Sequence, residues 1–209
     1  MTPRYPVLLD LSGQPCLVVG GGAVAERKVQ GLLDVGASVT LISPDATEVL
    51  SGAAAGGRLS WQRRRWLPED LTSVRWRFVV AATDDAALNR NVVAGAELEG
   101  IWANDVSAPD GGTAALPAVY RDGPVTLTVS TGGVHPGAAG WLRDLAANAI
   151  DPEHLTALEL VAEVRAASPR GSRPDWRQAI DSGMLDLIRE GRVAEAKERL
   201  QACLSSSSD

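Results

Sequence analysis

"PCLVVGGGAVAERKVQGLLDVGASVTLISPD", residues 15–45, decides the fold. Residues 16–19 are an unbroken apolar run, short enough for a strand buried on both faces. Glycines 20–22 stop the run. Ala25 to Leu33 are helix formers with apolar groups at helical spacing, and Gly36-Ala37 close that helix. "SVTLIS", residues 38–43, is β-branched and strand-like. Strand, turn, helix and strand in this order predict a βαβ unit with parallel strands. Inside it, Gly20-x-Gly22-x-x-Ala25 has dinucleotide-binding spacing. The first glycine permits a tight turn and the second lets backbone approach a pyrophosphate. The small Ala25 lets helix pack on strand, with the phosphates at the helix N-terminus beside Ala23 and Val24.

The cofactor's adenosine ribose is expected near the end of the second strand, where NAD sites offer an acidic side chain. Here stand Ser43, Pro44 and Asp45. Ser43 offers a weak hydrogen bond and Asp45 a carboxylate, while this stretch has no arginine for a 2′-phosphate. NAD is therefore favoured over NADP. Further along, "LSWQRRRW" (59–66), "WRFVVAAT" (76–83) and "IWAND" (101–105) read as strands, with a helix over 84–100 capped by Asp84 or Asp85. Thr83 and Asp84 end their strand at the same carboxyl edge and are expected beside the cofactor. The alternation predicts an α/β, Rossmann-like doubly wound parallel sheet.

Beyond residue 115 the pattern changes. "ALPAVYRDGPVTLTVSTGG" (115–133) predicts two strands joined at "RDGP", and "HPGAAGWLRDLAANAI" (135–150) begins a helix. Residues 153–167 and 175–204 are helical in pattern, separated by "SPRGSRP", and "SSSSD" (205–209) reads as a frayed tail. Three parts are expected: a nucleotide-binding domain over 1–115, a β-rich middle over 116–150 and an α-helical segment over 151–209.

The composition, 45% apolar and 22% charged, suits a globular chain. A net charge of −6 argues against a nucleic-acid partner. Arg63, Arg64 and Arg65 form a basic patch that reads either as a solvated strand face or as an anion contact. Cys16 and Cys203 have no metal-ligand spacing, so no metal site is expected, and Cys16 reads as core. The N-terminus fits neither a secretory signal nor a transmembrane span, which predicts a soluble, cytoplasmic protein without membrane contact.

Taken together, "YPVLLDLSGQPCLVVGGGAVAERKVQGLLDVGASVTLISP", "VVAATDDAALNRNV", "AND", "LPAVYRDGPVTLTVSTGG" and "WLRDLA" resemble the precorrin-2 dehydrogenase / sirohydrochlorin ferrochelatase family, the NAD-dependent module of sirohaem synthase. The resemblance is strong over residues 5 to about 150 and looser over "REGRVAEAKERL". Over these 209 residues, the methyltransferase domain that some members carry is not expected. The family implies oxidation of precorrin-2 to sirohydrochlorin with NAD, followed in some members by ferrous iron insertion. It also implies a homodimer, with the middle and helical segments supplying the contact and a cleft wall.

Such a substrate carries several carboxylates, and "STGGVHPG" (130–137) suits them. Ser130, Thr131, Gly132 and Gly133 precede a helix expected near Pro136, so their N–H groups form an anion nest. His135 stands where members commonly have serine; substrate contact, a structural or solvent-facing role and metal contact are all open. Members carry Asn-x-x-Asp at the strand end, and that aspartate is their candidate for proton handling. Here the register is Asn104-Asp105-Val106-Ser107, so a neutral hydroxyl occupies the carboxylate position. Asn104 is expected to contact the cofactor. Asp105, about 6–7 Å back along an extended chain, either replaces the missing group or is a turn or cofactor-side residue, and Asp110-Gly111-Gly112 reads as turn chemistry. Metal insertion must remove two pyrrole protons, so the preferred expectation is a dehydrogenase without strong chelatase activity. A bifunctional enzyme and a non-catalytic NAD- or tetrapyrrole-binding regulator remain alternatives.

Overall fold

The structure, a computed structural model, describes residues 4–108, 111–168 and 175–206. Two compact units emerge: Met1–Leu116 with Gly132–Val134, and Pro117–Thr131 with His135–Asp209. The expected β-rich middle and helical segments thus fall largely within one unit.

The first unit is built on five parallel strands in the order β3-β2-β1-β4-β5. They are β1 (Pro15–Val19), β2 (Ser38–Ile42), β3 (Ser60–Gln62), β4 (Phe78–Ala81) and β5 (Trp102–Asp105). Helices α1 (Ala23–Leu33), α2 (Glu48–Ala55), α3 (Asp70–Ser73) and α4 (Ala86–Leu98) connect them. Alternate strand residues serve opposite faces, as the two-residue period of a strand requires. Cys16, Val18, Val39, Leu41, Phe78 and Val80 pack with Ala25, Val29, Leu32 and Leu50 of α1 and α2. Leu17, Val19, Ile42, Val79, Ala81 and Ala103 pack with Leu71, Trp76, Val92, Val93 and Ala96. The sheet is therefore covered on both sides, which is the doubly wound arrangement expected from the sequence. Burial pushes the Cys16 thiol up to about 11, which leaves it an inert core group.

Strand order reverses between β1 and β4, and in open α/β sheets ligands bind beyond the carboxyl ends at such a point. α1 begins at Ala23, two residues before the helical pattern in the sequence, because Gly22 takes the N-cap place. Of the two aspartates offered as cap for α4, Asp85 is the one used, accepting from the Ala87 and Leu88 amides at 2.8 and 3.0 Å.

In the second unit β6 (Ala118–Asp122) and β7 (Val125–Val129) form an antiparallel hairpin, and α5 (Pro136–Ala147) packs on it. Four helices follow: α6 (Pro152–Ala167), α7 (Trp176–Ile180), α8 (Met184–Arg189) and α9 (Val193–Ser206), around Leu160, Val164, Met184, Ile188, Ala196 and Leu200. Residues 169–174 of the expected break and 207–209 of the expected tail lie outside the described residues. His154 joins Asp151 in a reciprocal cap of α6. Among the described residues, no helix is long and apolar enough to cross a membrane.

The basic patch divides by function. Arg64 donates to both Asp70 oxygens, at 2.8 and 2.5 Å, and Asp70 also accepts from the Leu67 amide at 2.8 Å. The Asp70 carbonyl takes the buried Trp76 indole N–H at 2.7 Å. The Arg64 guanidinium holds the Asp70 carboxyl below the usual carboxylate range. A lowered value means that the pair stabilises fully above the ordinary carboxylate value of about 4 and loses its contribution as pH falls through the lowered one. Asp70→Ala is expected to cost about 1–3 kcal/mol in urea unfolding at neutral pH, since Arg64 remains partly solvated. The difference from the parent should shrink on acidification.

Candidate functional site

At the glycine turn, packing explains two glycines and leaves the third unexplained. Gly20 has φ +111°, and a Cβ there would stand 2.3 Å from the Ala82 carbonyl oxygen. A Cβ on Gly21 would stand 2.0 Å from the Asp45 carbonyl oxygen. At Gly22 a Cβ would meet nothing within 4 Å, and this residue caps α1 with no side-chain hydrogen bond. The first-turn amides near Ala23 and Val24 are thus left without a side-chain acceptor beside an open backbone surface, and Ala25 is fully buried under the helix. Open space next to uncapped N–H groups fits a pyrophosphate. Glu26, in the same first turn, accepts from the Thr47 hydroxyl at 2.6 Å.

The end of β2 is braced by β3. The Trp61 indole donates to the Ser43 carbonyl at 3.0 Å, and Ser43 is buried. Pro44 and Asp45 are exposed. The structure brings in an arginine that residues 43–45 do not contain: Arg63 Nε donates to the Pro44 carbonyl at 3.4 Å, and its guanidinium lies 5.1 Å from the Trp61 ring centre. β2–β3 pairing carries it there, which short-range spacing from the glycine turn does not reveal.

Beyond β4, the Asn89 side-chain oxygen accepts from the Thr83 hydroxyl at 2.7 Å and from the Thr83 amide at 3.0 Å. The Asn89 amide returns a bond to the Thr83 carbonyl at 3.0 Å. Thr83 is therefore a pin of the strand–helix turn, and Asp84 stands exposed beside it. Sequence reading missed Asn89, whose signal there was an asparagine inside a helical pattern that favours other residues; the structure buries it fully.

At the end of β5 the extended spacing assumed from sequence does not hold, because the strand stops at Asp105 and the chain turns. Asp105 and Ser107 are not separated along a strand but joined. The Asp105 carboxylate, 3% exposed, accepts from the Ser107 amide at 2.8 Å and from its hydroxyl at 2.5 Å. Ser107 itself is exposed. The Asn104 amide donates to the Ala114 carbonyl at 3.0 Å, holding the returning chain against the edge strand. Gly112, at φ +86°, lets that chain lie where a Cβ would strike the Ala103 carbonyl oxygen at 2.3 Å. Asp110 lies outside the described residues.

In the 130–137 segment, Ser130 follows β7, Thr131 is half-buried, and Gly132 and Gly133 adopt φ of 63° and 88°. His135 is the N-cap of α5, its Nδ1 accepting from the Gly137 amide at 3.0 Å. The imidazole thus takes a role usually given to serine or aspartate, with the proton on Nε2.

A doubly wound parallel sheet with an open glycine turn at its switch point defines a dinucleotide-binding unit. Residues 7–118 match the NAD_binding_7 family, described as "Putative NAD(P)-binding", and the chain belongs to that family. A nicotinamide cofactor follows from this membership and from the site. The chain is 35% identical to siroheme synthase of Methylococcus capsulatus over 201 residues, 93% of this chain and 42% of the relative. It is 35% identical to siroheme synthase 1 of Aeromonas salmonicida over 201 residues, 92% and 42% of the two chains. The chain spans less than half the length of these curated relatives. The solved structure of "SirC, precorrin-2 dehydrogenase" superposes with a TM-score of 0.72 and 26% identity, covering 95% of this chain and 100% of that one.

Gly22→Asp is expected to leave the thermal midpoint nearly unchanged and to abolish NAD(P) binding in calorimetric titration, through bulk and like charge at the pyrophosphate. Gly20→Ala should instead lose several kcal/mol of stability, since its Cβ meets backbone that cannot move aside.

Proposed function

We propose that this chain is an NAD-dependent precorrin-2 dehydrogenase that forms sirohydrochlorin, and that it works as a homodimer in the cytoplasm. The observation that carries the reading is Gly22, open at the β1/β4 switch point, in a chain similar along nearly its whole length to a precorrin-2 dehydrogenase. Gly20, Gly22, Ala23 and Val24 hold the pyrophosphate. Ser43, Pro44 and Asp45 face the adenosine ribose, and Asp45 is the group that favours NAD. Thr83, Asp84 and Asn104 shape the edge nearer the nicotinamide. The bound cofactor supplies one step, acceptance of a hydride from a substrate carbon. Ser130, Thr131, Gly132, Gly133 and His135 form a separate anion-receiving segment for substrate carboxylates.

Proton loss falls to Asp105 and Ser107 acting together. The exposed hydroxyl takes the substrate proton as it passes its own to Asp105, along the 2.5 Å hydrogen bond between them. This arrangement serves a single proton better than the two that metal insertion removes, which favours dehydrogenase without strong chelatase activity.

The test is purified protein with precorrin-2 and NAD, followed by NADH absorbance. Equal amounts of NADH and sirohydrochlorin are expected. Binding of both ligands with no NADH above the enzyme-free rate would make the chain a regulator. Asp105→Asn keeps an acceptor for the Ser107 amide and removes the base; it should slow turnover by about 10²–10⁴-fold with NAD affinity intact. An unchanged rate would leave Asp105 with the turn alone. Rapid insertion of ferrous or cobaltous ion into sirohydrochlorin would establish the bifunctional alternative.

A further inference from the structure

We propose that Arg63 is a specificity-determining residue of the dinucleotide site, placed to take the 2′-phosphate of NADP, so that the chain accepts NADP as well as NAD. The proposal rests on the dinucleotide reading of the Gly22 turn and refines its choice of cofactor.

β2 and β3 pair in parallel through Ile42 and Gln62, so the next residues, Ser43 and Arg63, leave the sheet side by side at its carboxyl edge. Residue 45 belongs to the same edge, because its carbonyl oxygen is the atom that excludes a side chain at Gly21. Arg63 is anchored one residue earlier, on the Pro44 carbonyl, and lies over the Trp61 ring. Trp61 is itself fixed to the Ser43 carbonyl. The long side chain is thus restrained at its Nε and over an aromatic face. Among the described residues, no carboxylate pairs with it, whereas its neighbour Arg64 is occupied by Asp70.

The outer nitrogens of a restrained guanidinium form a planar fork that matches phosphate oxygens, at little further cost in side-chain freedom. In doubly wound sheets an acidic group at the end of the second strand selects the ribose hydroxyl of NAD, and a nearby arginine accommodates the 2′-phosphate of NADP. This edge holds one of each. Asp45 is exposed and negative, Arg63 is exposed and positive, and the bond to Pro44 puts the guanidinium next to the residue that carries the carboxylate. Such a pair discriminates weakly: the carboxylate serves the hydroxyl, and the guanidinium offsets its repulsion of a phosphate.

Calorimetric titration with NAD and with NADP tests this on the full chain and on Arg63→Ala, Arg63→Lys and Asp45→Asn. The parent is expected to bind NADP within about tenfold of NAD. Arg63→Ala should lower the NADP-to-NAD affinity ratio about tenfold or more, and Arg63→Lys should recover part of it as a point charge. Asp45→Asn should move the ratio the other way, and added salt should weaken NADP more than NAD in the parent. NAD binding without NADP binding overturns the proposal and leaves the dinucleotide reading standing. An unchanged ratio in Arg63→Ala, including an equal loss of both affinities, also overturns it. Absence of binding by either dinucleotide overturns the proposal and the dinucleotide reading together.

Discussion

The carboxyl ends of β1 and β4 meet where no side chain fits, with Gly20 against the Ala82 carbonyl. Gly20 also donates to the Ile42 carbonyl at 3.0 Å, so one residue ties the ends of three neighbouring strands. From that tie the chain enters α1 with its first amides uncapped, the turn after β2 packs against Gly21, and the turn after β4 is fixed by Asn89. A side chain at residue 20 would therefore disturb all three of the turns that border the proposed cofactor site, not only its own.

An acidic chain that receives anionic ligands needs its carboxylates engaged near the site. Glu26 accepts from Thr47, Asp85 from the first amides of α4, and Asp105 from Ser107. Each is drawn toward donors of its own turn, so the local field of the α1 N-terminus is opposed less than a net charge of −6 would suggest. Asp45 and Asp84 are exceptions, both exposed, and Asp45 is the group proposed to meet the ribose hydroxyl.

The doubly wound sheet was legible because its signals are local: apolar runs of strand length, a glycine turn and helical spacing follow one another within a few residues. The place of Gly22 at the start of α1 was legible for the same reason. Arg63, Asn89 and the joining of Asp105 to Ser107 were not, and each for a different physical cause. Arg63 reaches the β2 edge only through strand pairing. Asn89 acts backward across a helical turn onto Thr83. Asp105 and Ser107 meet because the chain turns once β5 ends at Asp105, where the extended reading carried it straight on to Ser107. The roles assigned along residues 130–137 rest on resemblance and on local geometry, with His135 seen as the α5 cap.

Turn-making and the proposed proton handling at Asp105 are compatible. A hydroxyl donates to one acceptor at a time, so the bond to Asp105 fixes where the Ser107 proton points and leaves the oxygen's lone pairs outward. The same carboxylate that closes the turn by accepting the Ser107 amide is held behind the hydroxyl by that acceptance. In the proposed mechanism, a serine at the family's aspartate position displaces the base by one hydrogen bond, with the turn itself maintaining the connection.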